Sequence, residues 1–157
     1  MTAPSLALDF TLLRSASVPR GAHEASDLEA LAFFALNAEG VRGAVLLTLD
    51  LTGHERIRTL NRRFRGVDRT TDVISFRNDD GRGRRQGLDG DLAINVAQAA
   101  LQAKKVGNSL AREVRLLLIH GILHLLGYTD YEPRPRRRMF KRQNALLRRW
   151  EKRAGRR

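Results

Sequence analysis

No cysteine occurs anywhere in the 157 residues, which excludes disulfides and any thiolate metal cage. A cysteine-free chain fits a reducing compartment, and the expected location is the cytoplasm. Aromatic residues are scarce as well. One Trp, two Tyr and six Phe amount to 6% of the chain. No apolar run approaches the roughly 20 residues that a membrane span needs. Met1 to Leu13 holds Asp9 inside its apolar stretch with no basic residue ahead of it, unlike a signal peptide. No membrane partner is expected.

Acidic residues are nearly missing from the C-terminal segment. Residues 134 to 157 hold 12 Lys/Arg against the single acid Glu151, whereas the rest of the chain carries 17 basic and 16 acidic groups. The net charge of +12 therefore resides almost entirely at one end. Such asymmetry favours a polyanionic partner, nucleic acid before anionic membrane. The plainer alternative is that these arginines merely solvate a terminal helix.

What is present reads as one α+β domain over residues 1 to 157, the length allowing one real core. Residues 5 to 13 alternate as a strand. Ser26 or Asp27 opens a helix to Ala38, stopped by Gly40, and Val45 to Leu51 is a second strand. Strand, helix, strand predicts a right-handed unit with these two strands parallel. Thr52 and Glu55 have capping-box spacing, for a helix burying Ile57, Leu60 and Phe64. Asp72 to Phe76 and Asp89 to Asn95 read as a short antiparallel pair around a polar, glycine-rich loop. Helices are expected over Val96 to Val106, from Ser109 to Leu125 or Leu126 with Gly127 at C′, and over Arg136 to Glu151. The second of these is apolar nearly all round, the mark of a buried helix. In the last, Met139, Leu146 and Trp150 recur at helical spacing, and Trp150 and Phe140 are assigned to packing.

That buried helix contains His120-Gly121-Ile122-Leu123-His124. Residues four apart lie one above the other, so both imidazoles can reach one ion. Two of the four histidines in the chain stand here, at a burial cost that calls for a purpose. The turn after Gly127 returns Asp130 as a third ligand, leaving an open coordination position, as catalytic sites do. Histidines satisfied by backbone acceptors are the structural alternative. Gly121 stands where a peptidase of the HExxH kind has its glutamate base, so the helix suits a metal but lacks that base. His54 and His23 have no spacing that brings them to the site.

The stretch HGILHLLGY, His120 to Tyr128, resembles the signature HGxLHLxGYDH of the YbeY family of metal-dependent endoribonucleases. Leu60-Asn61-Arg62-Arg63-Phe64-Arg65 followed by Thr70-Thr71-Asp72-Val73-Ile74-Ser75-Phe76 is similar to that family's LNxxfR…TDVLSF block, and Gly90 to Ile94 to its GDIxI strand. The matches are collinear over roughly residues 45 to 150. The resemblance implies a zincin-like fold, with a small mixed sheet of about four strands packed with about five helices and the metal-bearing helix buried. It also implies a zinc-dependent, single-strand-specific endoribonuclease acting in small-subunit rRNA maturation and ribosome quality control. Its partners would be single-stranded RNA, rRNA and the ribosomal small subunit or assembly factors. His120 and His124 match the signature. Asp130 falls where the signature has its third histidine, and a two-His, one-carboxylate set binds one Zn²⁺ and also suits Fe²⁺ or Mn²⁺.

A phosphodiester transition state gathers negative charge, so a fixed cation nearby is expected. By resemblance Arg65 fills this catalytic role, and a guanidinium suits it. Arg62, Arg63, Arg69, Arg137, Arg138 and Lys141 are candidate RNA-phosphate contacts, although Arg56, Arg58 and Arg62 equally fit the wet face of an amphipathic helix. Tyr128 and Tyr131 flank the third ligand and could touch a base. Two rival readings stand beside the nuclease: a non-catalytic RNA-binding assembly factor with a modified metal site, and a metallopeptidase, against which Gly121 counts.

Overall fold

A computed structural model describes residues 4–18, 25–81 and 83–155. His23, set aside above by its spacing, and residues 156 and 157, counted above in the basic segment, lie outside the described residues. In chain order the elements are β1 (Leu6–Arg14), α1 (Ala25–Ala38), β2 (Gly43–Thr52), α2 (His54–Arg65), β3 (Val73–Arg77), a 3₁₀ turn (Arg84–Gln86), β4 (Leu88–Asn95), α3 (Val96–Val106), α4 (Leu110–Leu125) and α5 (Pro133–Ala154).

The four strands form one mixed sheet in the order β1-β2-β4-β3. β1 lies parallel to β2 with Leu6 opposite Gly43, as the strand–helix–strand reading requires. β2 is parallel to β4, and β3 is antiparallel to β4 with Val73 opposite Ile94. After buried Leu6 the edge strand β1 alternates exposed and half-buried positions, while Leu49 to Thr52 at the end of β2 are all buried. That contrast follows from lateral cover: β2 has a neighbour on each side and β1 on one.

α4 runs through the middle of the main core. Leu118, Ile119, Ile122 and Leu123 are fully buried, packed in one cluster with Leu31 and Leu36 of α1, Leu92 and Ile94 of β4, and Met139, Leu146 and Leu147 of α5. Gly121 explains how the helix comes so near the sheet. A Cβ at that position would stand 2.9 Å from Leu92 Cδ2 and 3.4 Å from Val73 Cγ2. The Gly121 carbonyl accepts a hydrogen bond from the Ser75 hydroxyl of β3 at 3.2 Å, a further tie between helix and sheet.

Three local expectations need correcting. Thr52 is not a helix cap. It is the buried last residue of β2, paired with Asn95, and Gly53 takes the N-cap position of α2 without a side-chain bond. Sheet pairing carries the strand past the point where capping would have ended it. Phe64 is not buried with Ile57 but 59% exposed, its ring tilted against Phe76 at 5.1 Å. The inward positions of α2 are Ile57 and Asn61, with Asn61 donating to the Arg69 carbonyl at 2.8 Å. α5 begins at Pro133 rather than Arg136, because a proline in the first turn lacks only an N–H that the helix would not use.

Candidate metal centre

The end of α4 decides the site. Leu126 caps the helix, and Gly127 follows at φ 98°, a conformation that favours glycine. The Gly127 N–H bonds the His124 carbonyl and the Tyr128 N–H bonds the Leu123 carbonyl, both at 3.0 Å. This paired pattern is a Schellman turn. It throws the chain back toward the helix within four residues, and Asp130 arrives beside both imidazoles.

His120 Nε2 and His124 Nε2 lie 3.0 Å apart, with Asp130 Oδ2 at 3.6 and 3.5 Å from them. One ligand atom from each of the three residues fits within a span of 4.8 Å. All three are partly shielded, with side chains 12%, 22% and 32% exposed. The outer nitrogens are engaged as well. His120 Nδ1 donates to Gln143 Oε1 of α5 at 2.6 Å, and His124 Nδ1 donates to the Tyr128 carbonyl at 3.0 Å. Both oxygens can only accept, so each ring carries its hydrogen on Nδ1 and presents a lone pair at Nε2. Two lone pairs facing one another at this distance repel, and a cation between them and the carboxylate removes that repulsion. The donor set thus fits a divalent ion of nitrogen and oxygen preference.

Electrostatics agree with neutral imidazole. Burial holds His124 below the usual imidazole range, and His120 and Arg65 push in the same direction against Asp130 and the Tyr128 carbonyl. The His120 ring also stacks on Phe140 at 5.9 Å, which limits its rotation.

His124 opens on a cleft of about 610 Å³ whose wall includes Arg65, Ser75, Arg77, Arg84, Tyr128 and Tyr131. Arg65 sits at the exposed end of α2, where Gly66 turns left-handed at φ 68°, and has no carboxylate partner among the described residues. Arg77 is tied down by Asp79 at 2.7 Å and reaches the Leu125 carbonyl at 3.1 Å. Burial alone would raise Asp79, but hydrogen bonds from the Asp89 N–H, Arg77 and the Gly81 N–H outweigh it and pull its carboxyl to about 2. The loop that carries Arg84 toward the cleft is anchored on that charge.

The remaining arginines divide. Arg62 lies 3.9 Å from Asp68, which Arg58 also engages at 2.8 Å, and Arg63 stands over the Phe64 ring. Neither these nor Arg69 is on the cleft wall. Arg137 and Lys141 are exposed on α5, and Arg138 stands over the Tyr128 ring at 5.7 Å. His54 belongs elsewhere, with Nδ1 2.9 Å from the amide of buried Asn95. Reading the sequence alone missed Gln143, Arg77, Arg84 and the Tyr128 carbonyl. For Gln143 a signal existed: it lies between Met139 and Leu147 on the apolar face of α5, where a polar side chain needs a partner.

The described helices include none long and apolar enough to cross a membrane. The fold is similar to the solution structure of TM1509 from Thermotoga maritima, with TM-score 0.60 at 24% identity, covering 94% of this chain and 93% of that one. Among relatives by sequence, proteins named Endoribonuclease YbeY are 41% identical in Brevibacillus brevis, over 72% of this chain and 78% of that one. The Moorella thermoacetica protein of the same name is 39% identical over 85% and 91%. The family described as Endoribonuclease YbeY matches residues 19 to 151, and with a fold, a histidine pair and relatives that all agree, the chain belongs to that family.

Proposed function

We propose that this protein is a metal-dependent endoribonuclease that cleaves single-stranded RNA, working in the cytoplasm on small-subunit rRNA maturation and ribosome quality control. Family membership supports the reaction class. The observation that carries the reading is the pair of lone pairs at His120 and His124, closed by Asp130, with His124 opening on an arginine-lined cleft. His120, His124 and Asp130 would hold one ion, Zn²⁺ or, given the carboxylate, Fe²⁺ or Mn²⁺. Such an ion, when bound, supplies a Lewis acid for a phosphoryl oxygen and lowers the pKa of a water.

The chain's own residues do the rest. Gln143 and the Tyr128 carbonyl hold the two rings in register. Arg65 is free to place its fork on the nonbridging oxygens and to neutralise the charge that develops there. Arg62, Arg63, Arg69, Arg137, Arg138 and Lys141 would hold flanking backbone without reading sequence. The ribosomal small subunit or its assembly factors would supply the substrate in place.

Elemental analysis of wild type and Asp130→Ala is the direct test of the ligand set. Equal metal content in the two would remove Asp130 from it. Arg65→Ala is expected to slow cleavage of single-stranded RNA by about 10²- to 10³-fold while binding persists. The carboxylate at position 130, where the family signature has histidine, favours a second reading as a non-catalytic RNA-binding assembly factor. Metal-loaded wild type that binds single-stranded RNA and leaves it intact would establish that reading instead. A peptidase reading loses its base at Gly121, which faces Leu92 and not the cleft.

A further inference from the structure

Beside the cleft lies a second concavity of about 340 Å³, lined by Arg84, Gly127, Tyr128, Thr129, Arg134 and Arg138. No carboxylate among the described residues lines it. It shares Arg84, Gly127, Tyr128 and Thr129 with the cleft wall, so the two spaces meet along the turn that follows α4. Arg84 and Arg138 stand over the Tyr128 ring at 5.8 and 5.7 Å, one delivered by the loop before β4 and the other by α5.

These guanidiniums differ in how they are held. Arg84 donates to the Glu39 carbonyl at 2.8 Å and lies 3.6 Å from the Glu39 carboxylate, which fixes its position. Arg134 and Arg138 have no carboxylate partner among the described residues. Three cations at one rim, with a single buried acid shared among neighbours, leave a local excess of positive charge that only an anion from outside can balance. A planar fork suits phosphate oxygens. Tyr128 already has two guanidiniums over its ring, which argues against its serving as a platform for a base.

We propose that Arg84, Arg134 and Arg138, grouped around Tyr128, form a phosphate subsite that grips the RNA strand next to the scissile linkage and apart from the metal centre. This rests on the nuclease reading for the strand that occupies it. The subsite takes a phosphate, either an internal diester or a 5′-terminal monoester. Its role is to fix where along the strand the metal centre acts, because a strand anchored here can present only the neighbouring linkage to His124.

The test uses the metal-loaded full chain and a ten-nucleotide 2′-O-methyl single strand, checked for integrity by gel after each binding measurement. Arg138→Ala and Arg134→Ala are the variants of choice, since neither breaks an ion pair; unchanged melting temperature and metal content confirm an intact fold. Each is expected to weaken binding roughly tenfold and to reduce the slope of log affinity against log salt by about 0.7. Replacing single linkages with neutral methylphosphonate should reveal one position where wild type loses affinity and Arg138→Ala loses no more. If the sensitive position is instead the 5′-phosphate, strands with and without that group separate the two sources. Variants that bind like wild type, or that lose affinity alike at every linkage, overturn the subsite while leaving the nuclease reading standing. Wild type that fails to bind the strand at low salt overturns both.

Discussion

α4 and α5 are tied at two places, by the hydrogen bond of His120 to Gln143 at the metal centre and by the ion pair of Arg112 with Glu151 away from it, and are otherwise opposites. α4 has 16 residues and is buried for most of its length; α5 has 22, with Met139, Gln143, Leu146, Leu147 and Trp150 as its buried stripe and arginine and lysine over most of the remainder. In α4 the apolar surroundings hold two imidazoles with their Nε2 atoms 3.0 Å apart. In α5 the stripe is packed and a few charges are tied down, Arg142 to Glu39 and Glu151 to Arg112, while Arg137, Lys141 and Arg148 stand exposed. The lesson is a division of labour under the proposed function: the metal centre would rest on a buried, nearly neutral helix, and attraction for a polyanion on an exposed basic surface.

That division can be broken or sharpened by substitution. The largest effect is expected inside α4. His124→Ala should abolish stoichiometric metal binding, and Leu118→Ala, at a fully buried position, should cost about 2–5 kcal/mol in denaturant unfolding. At the junction, Gln143→Leu leaves the His120 Nδ1 hydrogen unpaired and should lower metal affinity by about 10- to 100-fold. Unchanged affinity would mean that the Gln143 bond contributes nothing to the centre, leaving Phe140 as the α5 contact on the His120 ring.

A smaller effect follows from pH. His124 is held below the ordinary imidazole value of 6.5 in the folded chain. On acidification through that value the unfolded chain takes up the proton first, so the metal-free protein should be less stable at pH 5.5 than at pH 7.5. His124→Gln should flatten the difference, and an unaltered pH profile in that variant would assign the effect to another group. The smallest effect is expected on the wet face of α5, where Arg148→Ala should stay within about 0.5 kcal/mol of wild-type stability. A larger loss there would show that the arginine surface is structural after all.

Much of this was legible in advance, and the reasons are local. Parallel pairing of β1 with β2 follows from a helix between them, and antiparallel pairing of β3 with β4 from two short strands joined by a polar, glycine-rich loop. The histidine pair is a matter of helical periodicity, and the turn after Gly127 is encoded by the glycine itself. What could not be read depends on neighbours distant in the chain. Thr52 looks like a cap until β4 claims it, and Phe64 looks buried until Asn61 takes the inward position. Gln143 lies 23 residues from the ring that it orients. Arg84 reaches the site only because Asp79 and Glu39 secure its loop, and neither contact leaves a periodic trace.

Gly121 carries a consequence for how sequences of this fold can vary. Because the space a side chain would need at 121 is already filled by Leu92, the two positions behave as one unit of volume divided between helix and sheet. Enlarging the first requires shrinking the second, so Gly121→Ala should be tolerated better beside Leu92→Val than alone. A glutamate grafted at 121 to convert the helix into a peptidase motif would meet Leu92 first, and disrupt the core before it could reach a metal.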